Sequence, residues 1–290
     1  MVEGFVEKNL ASEYLRKWVT EANYELLPTE KALKLVDVVP KLNSISVTSR
    51  PTGIEDTIKF VEILGKEKAG RVSPHIAARR IINQRHFDEV ALRLLEAGTK
   101  KVFVMGGDGE PFGSEFKEAE DVLAGFYKRG MEFQKIGVGG YPEGNPVMDM
   151  DPTELLLRKQ ELAEMRQTNM EIVTQMCFDV DVLIDWLLEI RRRGVYLPVR
   201  IGVPGSLKLD TLIKVLSMLG VSDMVAFLKS KPVLARSLAG GVLGGFTPGD
   251  LLKELSEKND SSLGINGISV FTLGNVSSSV KCLTDLLEGV

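Results

Sequence analysis

Strand-like and helix-like segments alternate along this chain from end to end. Eight short apolar segments have the composition of β-strands, and each is followed by a segment with helical periodicity. Eight units of this kind predict the α/β class and a closed (β/α)8 barrel of the TIM type. The predicted strands cover about residues 23–27, 44–48, 71–75, 101–105, 135–139, 171–177, 197–203 and 267–272.

The length of the chain suits one such barrel. It has 290 residues, and a typical barrel needs about 250. We therefore expect a single catalytic domain over residues 1–290, with a short helical extension over about residues 1–21. The region 207–255 is predicted to be mostly helical, with loops at 240–241 and 247–249. Strands buried on both faces should be apolar runs rather than alternations.

The composition argues against several classes of function. A formal charge of −4, a pI near 5.5 and the lack of a basic stripe argue against a nucleic-acid partner. The only cysteines, Cys177 and Cys282, and the only histidines, His75 and His86, lack metal-ligand spacing. No apolar stretch reaches the roughly 20 residues of a membrane span, and no signal peptide is recognisable. We expect a cytoplasmic protein without metal or membrane partner; a homo-oligomer stays open.

Polar residues that can do chemistry follow one predicted strand after another. In a (β/α)8 barrel the carboxyl ends of the strands converge on one face, so residues far apart in sequence line a single pocket. This arrangement predicts an enzyme. The residues at or near these strand ends are Glu25, Thr48, Ser49, His75, Asp108, Tyr141, Glu143 and Gln175.

Glu25 lies on an otherwise apolar predicted strand. A carboxyl that faces the inside of a barrel loses its hydration, which favours the neutral form and raises its pKa. Such a group can act as a general acid near pH 7. The alternative is a carboxylate paired with an arginine near the rim of the barrel.

The segment Gly106–Pro111 is the sharpest local signal. Two glycines after a strand let the backbone turn tightly at Gly107 and approach a flat ligand. The carboxylate of Asp108 can accept hydrogen bonds from the N–H groups of a heterocycle. A plain glycine turn capped by an aspartate is the alternative. The segment is neither a P-loop nor a dinucleotide-binding fingerprint.

Two further strand ends have features that suit ligand binding. Pro142 and Pro146 stiffen the loop that carries Tyr141 and Glu143, although a structural turn explains this pattern equally well. Gln175 lies in a buried strand, where an unpartnered carboxamide costs roughly 1–3 kcal/mol. Its donor and acceptor match the edge of a pterin or a pyrimidine.

Taken in chain order, these motifs resemble the methylenetetrahydrofolate reductase family, which has a TIM-barrel fold. The resemblance runs from about Asn23 to Phe271. It implies the reduction of 5,10-methylenetetrahydrofolate to 5-methyltetrahydrofolate by NADH or NADPH, in one-carbon metabolism and methionine biosynthesis. The matching motifs are Tyr24–Pro28, Ser46–Thr48, Pro74–Ile76, Gly107–Asp108, Tyr141–Glu143 and Thr174–Asp179.

The resemblance also assigns roles to individual residues. Glu25 would be the general acid, and Asp108 would take part in catalysis and in substrate binding. Gln175 and Phe178 would bind the folate substrate. The residues implied for the cofactor site are Thr48, His75, Gly107, Tyr141, Glu143 and Lys159.

The chain departs from the common flavin-bearing form of the family at two places. That form has Arg-Gly-Asp after strand four and Tyr-Pro-Glu-x-His-Pro after strand five, whereas this chain has Gly106 and Asn145 at the arginine and histidine positions. The chain resembles instead a divergent branch, some of whose members work without flavin. Hydride transfer through FAD and direct transfer from NADH or NADPH both stay open, and the departures favour the direct route slightly.

Two other interpretations of the sequence remain. A folate-binding or methyl-carrier homologue without catalysis could keep Asp108 and Gln175 for recognition alone, but it would not need Glu25 as a proton donor. A barrel enzyme acting on another one-carbon substrate is the second alternative.

Overall fold

The computed structural model describes residues 2–144, 150–218 and 245–289. Its central feature is a closed barrel of eight parallel strands in the order β1-β10-β7-β6-β5-β4-β3-β2, which confirms the predicted (β/α)8 barrel. A separate antiparallel pair joins β8 to β9. The strands are β1 Asn23–Leu26, β2 Ser44–Val47, β3 Val72–Ala77, β4 Lys101–Met105, β5 Lys135–Gly140, β6 Met170–Met176, β7 Val199–Pro204, β8 Leu207–Lys208, β9 Gly245–Phe246 and β10 Ile265–Phe271.

Helices surround the barrel and bury its outer face. The first helix precedes the barrel, packs against the last two helices and buries Trp18 completely. None of the described helices is long and apolar enough to cross a membrane. The helices are α1 Val2–Thr20, α2 Glu30–Leu33, α3 Glu55–Lys68, α4 Gln84–Glu96, α5 Ala119–Lys128, α6 Pro152–Arg166, α7 Val180–Arg192, α8 Leu209–Met218, α9 Gly249–Lys258 and α10 Val276–Glu288.

Several elements differ from the sequence-based prediction. The helix predicted over residues 30–39 is the single turn α2 followed by a 3₁₀ turn at Val36–Val38. The helix predicted from residue 115 begins at Ala119, because Glu118 and Asp121 form a capping box there. The β8–β9 pair was not predicted, and the loop predicted at 240–241 lies outside the described residues.

The barrel strands have an apolar outer face and a largely polar inner face. In β4, Val102 and Val104 are fully buried while the alternating Lys101 lines an internal cavity. On β1, the Asn23 side chain inside the barrel donates to the Ser46 and Ser269 hydroxyls at 2.9 and 2.8 Å. The expectation of apolar runs was therefore wrong for the inner face. The cause is the cavity, since inner side chains that border water or a ligand need not be apolar.

Candidate active site at the barrel mouth

A cavity of about 690 Å³ occupies the barrel and reaches the loops at the carboxyl ends of the strands. All eight barrel strands, or the loops that follow them, contribute to its wall. The volume lies within the usual range of ligand pockets, about 300–1,000 Å³. Eight of the predicted site residues are brought together on this wall: Glu25, Thr48, His75, Gly107, Asp108, Tyr141, Glu143 and Gln175.

Glu25 and His75 face each other inside this cavity. The Oε2 atom of Glu25 lies 3.9 Å from Nε2 of His75, and only 12% and 9% of the two side chains are exposed. Burial raises the pKa of Glu25 from 4.5 to about 8 and lowers that of His75 from 6.5 to about 3. Both groups are consequently neutral between about pH 3 and pH 8, so the contact is no ion pair. Among the described residues no arginine pairs with Glu25, unlike the alternative considered from the sequence.

The position of His75 is fixed by its neighbours. Its imidazole packs against the ring of Phe103, with 4.6 Å between the ring centroids and 48° between the planes. The hydroxyl of Ser49 donates a hydrogen bond of 2.6 Å to the His75 carbonyl. His75 is therefore a rigid, uncharged wall beside the Glu25 carboxyl.

The loop over residues 106–112, which we call the β4 loop, carries Asp108 at the mouth of the cavity. Gly107 has φ of 90°, and a Cβ built there would lie 2.9 Å from the Cβ of Ala77, so only glycine suits this turn. The Asp108 side chain is exposed and lines the cavity. A ligand at the mouth can therefore reach its carboxylate directly.

The side chain of Arg80 fixes the position of the β4 loop. The sequence analysis did not single out this residue. The buried guanidinium donates to the carbonyls of Asp108 and of Glu110, the latter at 2.9 Å, and it stacks on the ring of Phe112. A hydrogen bond from a charged donor contributes about 1.5–3 kcal/mol. Arg80 is thus a positioning residue for Asp108.

We expect Arg80→Met to loosen the β4 loop. The loss of charged hydrogen bonds should let the amides of residues 106–112 exchange with solvent about tenfold faster or more, which hydrogen-exchange mass spectrometry measures. Arg85→Met is the matched control, because Arg85 is exposed at the start of α4. Equal exchange in the two variants would contradict the positioning role.

The described part of the cavity mouth also includes Gln175, Thr48 and Tyr141. The amide of Gln175, at the end of β6, donates a long hydrogen bond of 3.4 Å to the carbonyl of Gly144. Among the described residues, the buried Thr48 hydroxyl has no hydrogen-bond partner. Asn145 and Pro146 lie outside the described residues.

Two predicted site residues do not line the cavity. Lys159, on α6, is buried behind β4 and β5, where its Nζ lies 3.2 Å from an oxygen of Glu120. Phe178 is buried and packs edge-on against Phe246, with 5.8 Å between the centroids. The positions of both side chains depend on contacts with Glu120 and Phe246. These residues lie outside the sequence motifs.

Cationic side chains near the β4 loop are the candidates for holding the diphosphate of FAD. Arg79 donates to the carbonyls of Lys117 and Gly109 and lies 3.0 Å from an oxygen of Glu118. A Cβ added to Gly106 would meet the other Glu118 oxygen at 3.1 Å. Together with a neutral His75, these contacts leave none of these described cations free for phosphate. A flavin diphosphate at this loop would depend on backbone N–H groups instead.

The floor of the cavity, at the amino ends of the strands, carries a charged cluster that sequence reasoning also missed. Its members, which we call the floor cluster, are Lys101, Lys135, Glu171 and Arg200. Glu171 accepts hydrogen bonds from Lys135 at 3.1 Å and from Arg200 at 3.4 Å. Burial opposes ionisation of Glu171, but the two cations and the amide of Asn266 hold its pKa below the ordinary value. The sequence does contain a signal for this cluster, because charged residues of opposite sign lie on strands that were predicted to be neighbours.

The fold and the cavity define the class of protein. It is a (β/α)8 barrel with a ligand-sized pocket at the carboxyl ends of its strands, lined by a buried neutral acid. The sequence profile of the methylenetetrahydrofolate reductase family matches residues 19–225, which is most of the chain. The chain belongs to this family, and the resemblance inferred from the sequence is confirmed.

Individual relatives are distant. Methylenetetrahydrofolate reductase 1 of Schizosaccharomyces pombe is 24% identical over 288 residues, which cover 91% of this chain and 45% of that protein. Methylenetetrahydrofolate reductase 2 of Saccharomyces cerevisiae is 26% identical over 133 residues, 43% of this chain and 21% of that protein. The chain thus spans less than half the length of the curated relatives it matches.

A solved structure supports the fold assignment. An uncharacterized protein from Clostridium thermocellum that binds two copies of 5-methyl-5,6,7,8-tetrahydrofolic acid superposes with a TM-score of 0.59. The alignment covers 97% of this chain and 99% of that one at 14% identity. At this identity the similarity shows a shared fold.

Proposed function

We propose that this protein reduces 5,10-methylenetetrahydrofolate to 5-methyltetrahydrofolate with a hydride from NADH or NADPH. The observation that carries the proposal is Glu25, a carboxyl kept protonated inside the cavity. Asp108 and Gln175 stand on the same wall with the polar groups that a pterin edge requires. Membership of the reductase family supports the choice of substrate.

The chemistry needs a proton donor before it needs a hydride. The five-membered ring of the substrate opens when its bond from the methylene carbon to one nitrogen breaks. Glu25 gives its proton to the departing nitrogen, and the methylene carbon is left as an iminium ion. The hydride of the reduced nicotinamide then adds to that carbon, which forms the methyl group. One proton and one hydride are consumed, and Glu25 regains a proton from solvent.

The remaining groups orient the substrate. The exposed carboxylate of Asp108 accepts hydrogen bonds from pterin N–H groups, and the Gln175 carboxamide offers a donor and an acceptor on the other side of the mouth. Holding the reacting atoms in line can contribute several kcal/mol to a reaction of this type. In this proposal Asp108 acts on the reaction through the orientation of the pterin.

We further propose that the hydride passes directly from the nicotinamide to the folate, with both bound together. Two features support this route, because a permanently held flavin needs a site for its diphosphate. Arg79 is paired with Glu118, and the carboxylate of Glu118 lies beside Gly106. A nicotinamide nucleotide that binds transiently can leave its diphosphate in solvent at the rim. Sequential kinetics follow from this arrangement.

The visible absorbance spectrum of the purified protein tests the cofactor proposal. We expect an active protein without a flavin band, and no gain in activity when FAD is added. A flavin band near stoichiometric occupancy would overturn direct transfer. It would leave the role of Glu25 intact, since the proton donor is needed by either route.

The activity should depend on pH through Glu25. Because the acid form is the reactive one and its pKa is about 8 in the free protein, kcat/KM for the folate should be constant below that pH. Above it, kcat/KM should fall about tenfold for each further pH unit. Rates measured at subsaturating folate between pH 6 and about 10 check this. A rate that increases across this range would contradict the assignment of Glu25 as an acid.

A titration with folates in the presence of NADH or NADPH tests the reaction itself. We expect oxidation of the nicotinamide that depends on 5,10-methylenetetrahydrofolate. The ligand of the Clostridium thermocellum barrel makes a methyl-folate carrier the alternative to consider. Binding of 5-methyltetrahydrofolate without oxidation in any folate mixture would favour the carrier. Oxidation with another one-carbon substrate alone would favour a different barrel enzyme.

A further inference from the structure

The floor cluster has an excess of positive charge. Three cations, Lys101, Lys135 and Arg200, surround a single carboxylate, Glu171. One oxygen of that carboxylate accepts from Arg200, and the other accepts from Lys135 and from the amide of Asn266 at 2.9 Å. Both oxygens therefore accept hydrogen bonds from other residues, and Lys101 interacts with this carboxylate only at longer range.

Lys101 is the unusual member of the floor cluster. Within the described part of the chain its ammonium makes no hydrogen bond and no ion pair, although it is partly buried on the cavity wall. It lies directly opposite Lys135 in the register of β4 and β5. Like charges on facing positions of neighbouring strands repel each other. Burial, and then the charge of Lys135, lower the pKa of Lys101.

Other interior residues keep the floor cluster accessible from the mouth. Small or polar side chains occupy inner positions that branched apolar residues fill in an ordinary barrel. Asn23, Ser73 and Gly137 are examples, and they border the same cavity as Glu25 and Lys101. Along β4, the four residue-to-residue steps from Lys101 to Met105 correspond to about 13 Å. A ligand at the mouth and a small group at the floor can therefore be bound together.

We propose that the floor cluster is an oxyanion-binding site, in which Lys101 and Lys135 hold a carboxylate or phosphate group. The site is separate from the proposed pterin contacts and does not depend on the reductase proposal. The charges of the cavity support it, since Asp108 and Glu143 add negative charge at the mouth, where Glu118 is paired with Arg79, whereas the floor is cationic. Inside the cavity an anion is therefore more stable at the floor than beside Asp108 and Glu143.

The anion has two chemical sources, and one experiment distinguishes them. Isothermal titration calorimetry at low salt compares inorganic phosphate with glutarate, a dicarboxylate that represents the acidic tail of a folate. Tighter binding of phosphate indicates a free phosphate or a phosphate ester. Tighter binding of glutarate indicates a carboxylate at the end of the ligand. Binding of neither by the wild-type protein would overturn the proposal.

Variants connect the binding to the floor cluster. Lys101→Met should weaken the binding of the preferred anion by about tenfold or more, the equivalent of about 1.4 kcal/mol, while Lys101→Arg should retain it. Lys128→Met is the matched control, because Lys128 is an exposed lysine at the end of α5, on the same side of the barrel but outside the cavity. Wild-type affinity in Lys101→Met would overturn the proposal.

Thermal stability gives an independent measurement. Without anion, Lys101→Met should melt at a higher temperature than the wild type, since it removes a partly buried charge that faces Lys135 and has no ion-pair partner among the described residues. Saturating anion should raise the melting temperature of the wild type and so narrow this difference. If the variant does not fold, protection of Lys101 and Lys135 from amine acylation by the anion, mapped by mass spectrometry in the wild-type protein, decides the question. Acylation unaffected by the anion would contradict the site.

Discussion

Replacing Glu25 by glutamine is expected to remove most of the turnover and to leave folate binding largely intact. Glutamine keeps the shape of the side chain and its neutral state but has no acidic proton to give to the departing nitrogen. General acid catalysis of this kind contributes about 10²–10⁴-fold to a rate. Turnover and the dissociation constant of the folate, measured on the same preparation, test both halves of the prediction.

The same substitution should make the protein more stable near neutral pH. The pKa of Glu25 is about 8 in the folded protein and near 4.5 when exposed, so the folded state keeps a proton that the unfolded chain has released. The stabilisation that this proton provides is complete below pH 4.5 and is lost as the pH rises through 8. Glutamine is neutral throughout, so the melting temperature of Glu25→Gln should increasingly exceed that of the wild type over this interval.

A matched control separates the two effects from a general response to charge removal. Glu110→Gln removes a carboxylate from an exposed position of the β4 loop that does not line the cavity. We expect wild-type turnover and no pH-dependent gain of stability in this control. Full activity in Glu25→Gln would show that another group donates the proton.

Replacing Glu171 by glutamine should be the most destabilising of these single changes. The substitution leaves Lys135 and the buried Arg200 without their carboxylate. Removing one partner of a buried ion pair costs about 3–5 kcal/mol. The melting temperature should fall by on the order of 10 °C. Glu257→Gln, at an exposed position of α9, is the control and should leave the melting temperature within about 1–2 °C of the wild type.

The effect of Glu171→Gln should disappear in acid. Arg200 and Lys135 hold the pKa of Glu171 below its ordinary value of 4.5, in spite of its burial. Its ionised form therefore contributes stability above that value, and the contribution is lost as the pH falls through the lowered pKa. Denaturation of wild type and variant at pH 7 and at successively lower pH measures the difference. A constant difference would mean that the lost charge is not its cause.

The succession of elements could be predicted because its signals are local. The apolar run of β4 was predicted with the bounds Lys101–Met105 that the structure has, and glycines such as Gly98 mark helix ends. Once eight units were counted, the convergence of Glu25, His75 and Asp108 followed from the topology of a parallel barrel. The composition of the mouth was therefore accessible without coordinates.

Side-chain contacts between residues far apart in the sequence could not be predicted in the same way. Glu118 was placed inside a predicted helix, whereas it caps α5 and pairs with Arg79, 39 residues earlier in the chain. Lys159 was expected in the pocket, but Glu120 binds it on the outside of the strands. Such contacts depend on the radial positions of helices and on side-chain direction, which periodicity does not determine. Because the strands were expected to be apolar, the alternation of apolar outward-facing and charged inward-facing residues that forms the floor cluster was not recognised.

The short β8–β9 pair has a consequence for how the family can vary. Lys208 and Gly245 are partners in it, so two points 37 residues apart in the chain lie side by side. Phe246 also packs against Phe178 beyond the end of β6, which anchors this pair to the barrel wall. The free-energy cost of closing a flexible loop grows only slowly with its length, by about 0.6 kcal/mol for each doubling. The connection between β7 and β10 can therefore lengthen or shorten during evolution without disturbing the register of the strands that enclose the site.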